Sequence, residues 1–345
     1  MRKRLLAGLL TLALLLSMTP TAFAAEDGLG TGSAADSNEN TTPAANTQDM
    51  TAGDEGSTAT STAVARIGDK EYTDLQEAFN DGGEVILQGD VTITGKQLTI
   101  AAGKEVTLDL NGYTLSVTYI PQKGQLVVKG ALTIKDGSEG QTGTICSDYT
   151  GTAGRVVEVI GGTLYMQGGT ITTAGMKTNG SAIYATNGAT VKMTGGTVSG
   201  DKDSDYIVNV RTTSSVFEMT GGEVLGGDAN NYAINSASAV IKIGDDAKVS
   251  ATNAVLATSG EISITGGAFT GELSVKAGAI TGGSFDRAIP VSALEPGHMP
   301  VKNSDGTYSV SEGTFAAMAG ENGYATLAEA VADAASGSTI TLLDN

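Results

Sequence analysis

A short motif, an apolar residue and a polar residue followed by two glycines, recurs from residue 166 onwards. It reads MQGGT at 166–170, MTGGT at 193–197, MTGGE at 219–223, ITGGA at 264–268 and ITGGS at 280–284. The first glycines of these pairs, together with Gly244 of a degenerate GDD, lie 16 to 27 residues apart. A near-regular period just above twenty residues predicts a solenoid, in which each repeat forms one coil that stacks on the next.

Apolar and polar residues alternate in front of each glycine pair, which is the period of a strand with one buried face. Two apolar residues flank one polar residue in each such stretch. A further apolar residue follows five positions after the second of the two, and another stands seven positions before the first. The predicted inward columns are Leu164, Val191, Phe217, Ile241 and Ile262; Met166, Met193, Met219, Ile243 and Ile264; Ile171, Val198, Val224 and Phe269; and Val157, Tyr184, Val210, Ile234 and Val255.

These columns give three short strands per coil and predict an all-β fold, a right-handed parallel β-helix whose interior they fill. The glycine pairs are expected to form corners, because a left-handed or bulged backbone is least costly without a Cβ. The residues between the apolar pairs face outward in this scheme. They read Tyr165, Lys192, Glu218, Lys242 and Ser263, and their alternating charges are expected to pair across strands.

The segment YTDLQEAFND at 72–81 predicts a short N-terminal capping helix over the open end of the stack. Leu75, Ala78 and Phe79 have helical spacing, and Thr73 or Asp74 can serve as the N-cap. The segment from 324 to 345 repeats this pattern at an offset of 252 residues, since Tyr324 matches Tyr72 and Leu327 matches Leu75. Residues 64–310 are therefore assigned to a β-helix module and 311–345 to the start of a second, incomplete module.

The N-terminal residues 1–24 have the features of a signal peptide: basic MRKR, an apolar stretch, and a small-x-small site at 22–24. Residues 25–63 lack large apolar side chains and are predicted to be a disordered low-complexity linker. The expected location is secreted or extracellular, including association with the cell wall. Cys146 is the single cysteine, so no intramolecular disulfide forms, and it is expected to pack as a small, partly buried hydrophobe.

Three stretches make the chain resemble the pectin-lyase-like β-helix modules of secreted and surface (adhesin-like) proteins of Gram-positive bacteria. They are ARIGDKEYTDLQEAF at 65–79, AAGKEVTLDLNGYTLSV at 101–117 and ALEPGHMPVKNSDGTYSV at 293–310. The resemblance covers residues 64–343 and implies the same fold and an extracellular location. Because this fold also occurs in pectate lyases and polygalacturonases, an enzyme has to be considered, although fold alone implies no activity.

A polysaccharide lyase needs carboxylates around Ca²⁺ and a strong base, and a hydrolase needs two or three close carboxylates. Asp245-Asp246 is like the aspartate pair of polygalacturonases, but the Gly-His-Gly element is missing, because the only histidine is His298. Arg155, Arg211 and Arg287 are the candidate bases, and the sequence shows none of them with an acidic partner at an informative position. No catalytic, cofactor or metal site is predicted.

Two polar patterns are interpreted as solvated surface. DKDSD at 201–205 has the alternating aspartates of a calcium loop but lacks the later glycine and glutamate ligands. A row of threonines before the glycine pairs resembles an ice-binding face, yet the uneven coil lengths are incompatible with a flat lattice.

The predicted function is a non-enzymatic β-helix module of a secreted or cell-surface protein that binds glycans or host or microbial surface proteins. The alternative is a polysaccharide-active enzyme of the pectate-lyase or glycoside-hydrolase type. A net charge of −18 argues against nucleic acid and anionic membranes as partners, and no membrane insertion is expected after signal cleavage. Because the coils differ in length, the loops at 174–181, 200–206 and 226–232 are predicted to contact a ligand.

Overall fold

The computed structural model describes residues 62–119, 123–174, 176, 180–201, 204, 206–226, 232–257, 260–275, 279–320 and 322–343. These residues belong to one compact unit, Ala59–Asn345. The predicted signal peptide and all but the last two residues of the predicted linker lie outside the described residues. Neither helix among the described residues has the length and apolar character needed to span a membrane.

The described residues form short strands, two helices and one 3₁₀ turn, Val291–Ala293. In chain order these are β1 (Ala65–Ile67), β2 (Lys70–Tyr72), α1 (Leu75–Asp81), β3 (Gly83–Leu87), β4 (Val91–Thr94), β5 (Leu98–Ile100), β6 (Glu105–Asp109), β7 (Thr114–Thr118), β8 (Gly124–Val128), β9 (Ala131–Lys135), β10 (Thr144–Cys146), β11 (Arg155–Ile160), β12 (Thr163–Met166), β13 (Thr170–Thr172), β14 (Ser181–Thr186), β15 (Thr190–Met193), β16 (Thr197–Ser199), β17 (Tyr206–Val210), β18 (Val216–Met219), β19 (Glu223–Leu225), β20 (Tyr232–Ser236), β21 (Val240–Ile243), β22 (Lys248–Ala257), β23 (Glu261–Ile264), β24 (Ala268–Val275), β25 (Ala279–Ile280), β26 (Ser284–Phe285), β27 (His298–Lys302), β28 (Tyr308–Glu312), β29 (Ala317–Ala319), β30 (Asn322–Tyr324), α2 (Leu327–Asp333) and β31 (Ile340–Leu342).

Three stacks of parallel strands build the module, as the sequence predicts. The first stack is β3-β6-β9-β12-β15-β18-β21-β23-β25. The second is β4-β7-β10-β13-β16-β19-β22-β24-β26, and the third is β5-β8-β11-β14-β17-β20, followed by the later halves of β22 and β24. This is a parallel β-solenoid. Its right-handed sense follows the general rule for parallel crossovers and stays a prediction.

Three of the predicted inward columns are confirmed by the strand register. Leu164 pairs with Val191, which pairs with Phe217, and the methionine column and the column from Ile171 stack in the same way. Residues of all three columns are buried. The outward row also pairs as expected, with Lys192 Nζ 3.2 Å from a carboxylate oxygen of Glu218 in the next coil.

The fourth predicted column is wrong in two coils. The true partners of Val157 in successive coils are Ile183 and Val208, whereas Tyr184 and Val210 lie one and two positions further along their strands. The turn that leads from each third strand to the next coil varies in length, and around Asn187-Gly188 it adopts left-handed φ angles of 57° and 79°. A constant offset of seven residues cannot follow turns of unequal length.

The glycine pairs form the corners between first and second strands. The second glycine of each pair has a φ between 72° and 109°, as Gly222 does at 82°. A Cβ on the first glycine would collide with the coil below, since at Gly221 it would lie 2.6 Å from the carbonyl oxygen of Thr194. Each pair therefore combines a left-handed residue with a close backbone contact, both of which favour glycine.

Buried aspartates close the equivalent corners in the first coils, where no glycine pair is present. The Asp136 carboxylate accepts hydrogen bonds from the backbone N–H of Gly143 (2.6 Å), Gly112 (2.8 Å) and Ser138 (3.1 Å). Burial by itself would raise the pKa of Asp136, but the hydrogen bonds from Ser138, Gly143 and Gly112 outweigh it and hold this pKa below its ordinary value.

A helix forms at the predicted position near the start of the stack. Asp74 is its N-cap, and Leu75, Ala78 and Phe79 are buried. The Gln76 side chain holds the neighbouring strand β5, because it both accepts from and donates to the backbone of Thr99, at 2.8 and 2.9 Å. The hairpin β1–β2 pairs antiparallel with β3 at the edge of the first stack.

The last elements repeat this opening arrangement. In β29, Ala317 pairs with Tyr324 and with Leu342, as Ala65 pairs with Tyr72 and with Leu87 in the first copy. The antiparallel hairpin β27–β28 pairs with β26 and ends the first module before this second unit begins. The domain boundary at residues 310–311 stays a prediction.

A Cβ on Gly222 would lie 2.7 Å from the carbonyl oxygen of Gly196 in the coil below. Replacing Gly222 with alanine is therefore expected to lower the free energy of unfolding by about 2–5 kcal/mol, because a left-handed alanine costs about 1–2 and overpacking about 1–3. The matched control is Gly103→Ala, since Gly103 has a φ of 76° but nothing within 4 Å of an added Cβ. In the control, the free energy of unfolding should fall only by the about 1–2 kcal/mol that a left-handed alanine costs. Equal losses in denaturant unfolding followed by circular dichroism would contradict the close contact between coils.

Replacing Asp136 with asparagine is expected to lower the free energy of unfolding at pH 7 by about 1.5–3 kcal/mol. Because the folded pKa is depressed, the carboxylate stabilises the fold above its unfolded pKa of about 3.9, and this contribution is lost as the pH falls through the folded value. The variant should therefore lose less stability than the parent between about pH 5 and pH 2. Asp69→Asn, at an exposed position, is the control. If the free energy of unfolding, measured with denaturant at each pH, falls as much in Asp136→Asn as in the parent between about pH 5 and pH 2, this role of Asp136 is refuted.

Candidate functional site

Three loops start from the solenoid at the same corner, the first with eight residues between its strands and the other two with six each. They connect β13 to β14, β16 to β17, and β19 to β20, and these strands stack in register in consecutive coils. The predicted ligand segments 174–181, 200–206 and 226–232 therefore begin and end beside one another. Much of each segment, including 177–179, 202–203 and 227–231, lies outside the described residues.

A row of polar and aromatic residues lies where these loops rejoin the third strands. Each third strand begins with two successive buried residues, such as Ile207-Val208 and Ala233-Ile234. The residue in front of each pair occupies the start of the strand. In register these residues are Arg155, Ser181, Tyr206 and Tyr232. We call Arg155, Tyr206 and Tyr232 of this row, together with Tyr184, which lies three positions after Ser181, the tyrosine face.

Tyr206 and Tyr232 stack on each other across neighbouring coils. Their ring centroids are 5.8 Å apart with an angle of 28° between the planes, and both residues are partly exposed. Three residues further along the same two strands, the buried Asn209 and Asn235 form a side-chain amide hydrogen bond of 2.9 Å from one coil to the next. This hydrogen bond links the two strands that carry the rings.

Arg155 is held by two partners at once. Its guanidinium carbon lies 3.6 Å from the centroid of the Tyr184 ring, and the same group forms an ion pair with the nearly buried Glu158. The expectation that Arg155 has no acidic partner is wrong. Val156 and Val157 are both buried, so the alternation of inward and outward residues is broken between Arg155 and Glu158, which lie three positions apart. Tyr184, predicted to point inward, instead shares the outward row with Glu158 and Asn209.

The other candidate bases lie elsewhere on the molecule. Arg287 is exposed, and its Nε lies 3.3 Å from the Asp286 carboxylate, so this residue too has an acidic partner. Arg211 is exposed next to β17. The structure does not bring Arg155, Arg211 and Arg287 together.

The predicted carboxylate pair occupies a glycine corner. Asp245 adopts a left-handed φ of 48°, and both Asp245 and Asp246 are exposed. This corner has four residues between Ile243 and Lys248, one more than the glycine-pair corner between their register partners Met219 and Glu223. Both aspartates lie beside Glu223 and Lys248 in a shallow depression. Within the described part of the chain, no three acidic, histidine or cysteine side chains come together in a group that could hold a metal ion.

The calcium-like loop DKDSD is described only at its first and fourth residues. The backbone N–H of Asp201 donates to the Thr173 hydroxyl at 2.8 Å, and Ser204 shares a hydrogen bond of 2.6 Å with the same hydroxyl. These contacts fasten the loop to the coil below. The calcium alternative for 201–205 concerns residues that are largely outside the described part.

Cys146 lies in β10 and is partly buried, as predicted. Burial raises the pKa of its thiol above the ordinary value, although a hydrogen bond with Ser116 opposes this effect. A thiol with a raised pKa carries little thiolate at neutral pH and is a weak nucleophile. Cys146 is therefore best understood as part of the packing of the coil.

Sequence reasoning missed the tyrosine face although a signal for it was present. YIVN at 206–209 and YAIN at 232–235 share tyrosine, two aliphatic residues and asparagine, at a spacing of one coil. Both tyrosines fall at the ends of segments predicted as ligand loops, so the prediction pointed to the right corner without naming the side chains. Comparison with protein-family models, with curated proteins and with solved structures found no match to this chain.

Replacing Arg155 with alanine is expected to lower the free energy of unfolding by about 3–5 kcal/mol, because Glu158 would be left nearly buried without its partner. Arg287→Ala, which removes an exposed pair, should cost about 0–1 kcal/mol. The double variant Arg155→Ala, Glu158→Gln should regain part of the loss in thermal and denaturant unfolding. No recovery in the double variant would contradict a buried, coupled pair.

Proposed function

We propose that this chain is a non-enzymatic β-helix module of a secreted or cell-surface bacterial protein, and that it binds glycans or surface proteins through the tyrosine face and its neighbouring loops. The observation that carries the proposal is the stack of Tyr206 on Tyr232, at the corner where the three loops begin and end. A rigid stack of coils presents this surface without needing to rearrange.

The chemistry of the tyrosine face suits carbohydrate and protein partners. Partly exposed tyrosine rings offer an apolar surface with a hydroxyl at one end, and a sugar ring offers an apolar C–H face with hydroxyls at its rim. Tyrosine and arginine are also the residues that dominate binding energy in protein interfaces. Because the two rings already stack on each other, less conformational entropy is lost on binding than with two separate side chains.

The charge of the chain and its N-terminal sequence both bear on where the module acts. The net charge of −18 disfavours nucleic acid and anionic membrane surfaces. The signal-like residues 1–24 support export, after which the module would act outside the cell or on its wall. The resemblance of residues 64–343 to modules of Gram-positive surface proteins supports the same location.

A polysaccharide-active enzyme is the second candidate. Arg155 and Glu158 are a strong cation and a carboxylate on a strand face beside loops, which is where a lyase or hydrolase of this fold could act. Against this role, the guanidinium is engaged by both Glu158 and the Tyr184 ring, so neither group is free to act on a substrate.

The binding proposal is tested on a glycan array and on host mucus proteins, with the full chain and two variants. Tyr206→Ala with Tyr232→Ala is expected to weaken binding by at least about tenfold, since each such anchor contributes about 2 kcal/mol or more. Tyr165→Ala is the matched control, because Tyr165 is exposed on the first stack, and it should bind like the parent. Equal binding by all three proteins would refute the tyrosine face as the site.

The enzyme alternative is tested in parallel by incubating the full chain with pectin and polygalacturonate in the presence of Ca²⁺. The proposal predicts no new reducing ends and no unsaturated products. Either product, if lost in Arg155→Ala and retained in Tyr165→Ala, would overturn the non-enzymatic proposal.

A further inference from the structure

The second unit, residues 317–342, copies the opening of the first module in detail. Besides the shared strand register, α2 begins and ends 252 residues after α1, and Ala78 and Ala330 are both fully buried. Tyr72 donates to the Asp81 carboxylate at 2.6 Å, and Tyr324 donates to Asp333 at 2.8 Å. The two copies therefore have the same internal construction.

The copies differ in what lies against their apolar face. In the first copy Leu75, Phe79 and Leu87 are at most 1% exposed, because the coils of the module pack on them. The corresponding residues of the second copy are Leu327, Val331 and Leu342, which are 46%, 59% and 64% exposed. We call these three residues the second-unit face. Their exposure leaves a contiguous aliphatic surface of the kind that marks a docking site.

The strand β31, which carries Leu342, has a free edge in the described part of its sheet, at the position where β3 of the first copy pairs with a further strand. β3 pairs on one side with β1 and on the other with β6, in parallel. β31 pairs with β29 on the equivalent side, and among the described strands it is the end of its sheet. An edge strand with unpaired N–H and C=O groups can accept one more strand.

We propose that the second-unit face is the acceptor for the first coil of a further parallel β-helix. The occupant is a coil that lays one strand parallel to β31, as β6 lies along β3, and turns aliphatic side chains onto Leu327 and Val331, as the first module does onto Leu75 and Phe79. In this arrangement the second unit begins a new stack directly after the first module, and two β-helices lie in tandem.

The second unit is already fastened to the module before it. In the first copy the ion pair to Asp81 comes from Lys70 on the adjacent strand, at 2.6 Å. In the second copy the cation is Lys302 of β27, whose Nζ lies 3.1 Å from the Asp333 carboxylate. The cation that completes the second copy thus comes from the closing hairpin of the first module.

The test extends the full chain after Asn345 with a second copy of residues 91–312, which lacks an opening unit of its own. Hydrogen–deuterium exchange by mass spectrometry is then followed for peptides from 327–343. We expect exchange there to slow by at least about tenfold relative to the unextended chain, because the face and the strand edge become covered. Exchange at 327–343 that is the same in both chains would overturn the proposal.

Two controls separate this result from other causes. An extension by residues 62–312 carries its own opening unit, so its coils should fold without the second-unit face and leave exchange at 327–343 unchanged. If that chain folds while the extension by 91–312 does not, the second unit is not an acceptor. In the extension by 91–312, Leu327→Asp with Val331→Asp should abolish the protection, while exchange at 75–87 stays the same.

The competing occupant is a second copy of the same chain. Sedimentation velocity of the unextended protein distinguishes it, because our proposal predicts that Leu327→Asp with Val331→Asp leaves the oligomeric state unchanged. A dimer that these substitutions dissociate would contradict the proposal.

Discussion

The register between consecutive coils is the constraint on which the rest of the structure depends. Each coil is too short to bury its own apolar residues, so Val191 is buried only because Leu164 and Phe217 lie below and above it. Parallel hydrogen bonding fixes which residues meet, and a slip by one residue would turn every inward side chain toward solvent. The corners and loops have to deliver the chain to the next strand in that register, whatever their own sequence.

Two different solutions satisfy this requirement at the corner between first and second strands. In the later coils a left-handed glycine and a second glycine against the coil below make the turn, whereas in the early coils the Asp136 carboxylate binds three backbone N–H groups. At the next corner the connections have eight, six and six residues between strands that stay in register. The stacked tyrosines lie where these loops rejoin the third strands, and loops on a regular scaffold are a common place for binding residues.

The sequence predicted the parallel stack, three of four inward columns and α1, because these follow from periodicity and from local capping. It misplaced Tyr184 and Val210, since turns of unequal length shift the register of the third strand without leaving a periodic signal. The pairing of Arg155 with Glu158 depends on a break in the inward–outward alternation at Val156 and Val157, and the exposure of Leu327 depends on what packs against it. Neither can be read from the spacing of residues alone.

The central claim, that like positions of successive coils lie directly above one another, is tested most directly by electron spin–spin distance measurements in a Cys146→Ser background. Spin labels at Thr107 and, in turn, at Tyr165, Glu218 and Ser263 lie on one outward row, separated by two, four and six coils. With strands about 4.8 Å apart, the label distance should rise by about 10 Å for each two coils. Distances that fail to rise in equal steps would contradict the stacked solenoid.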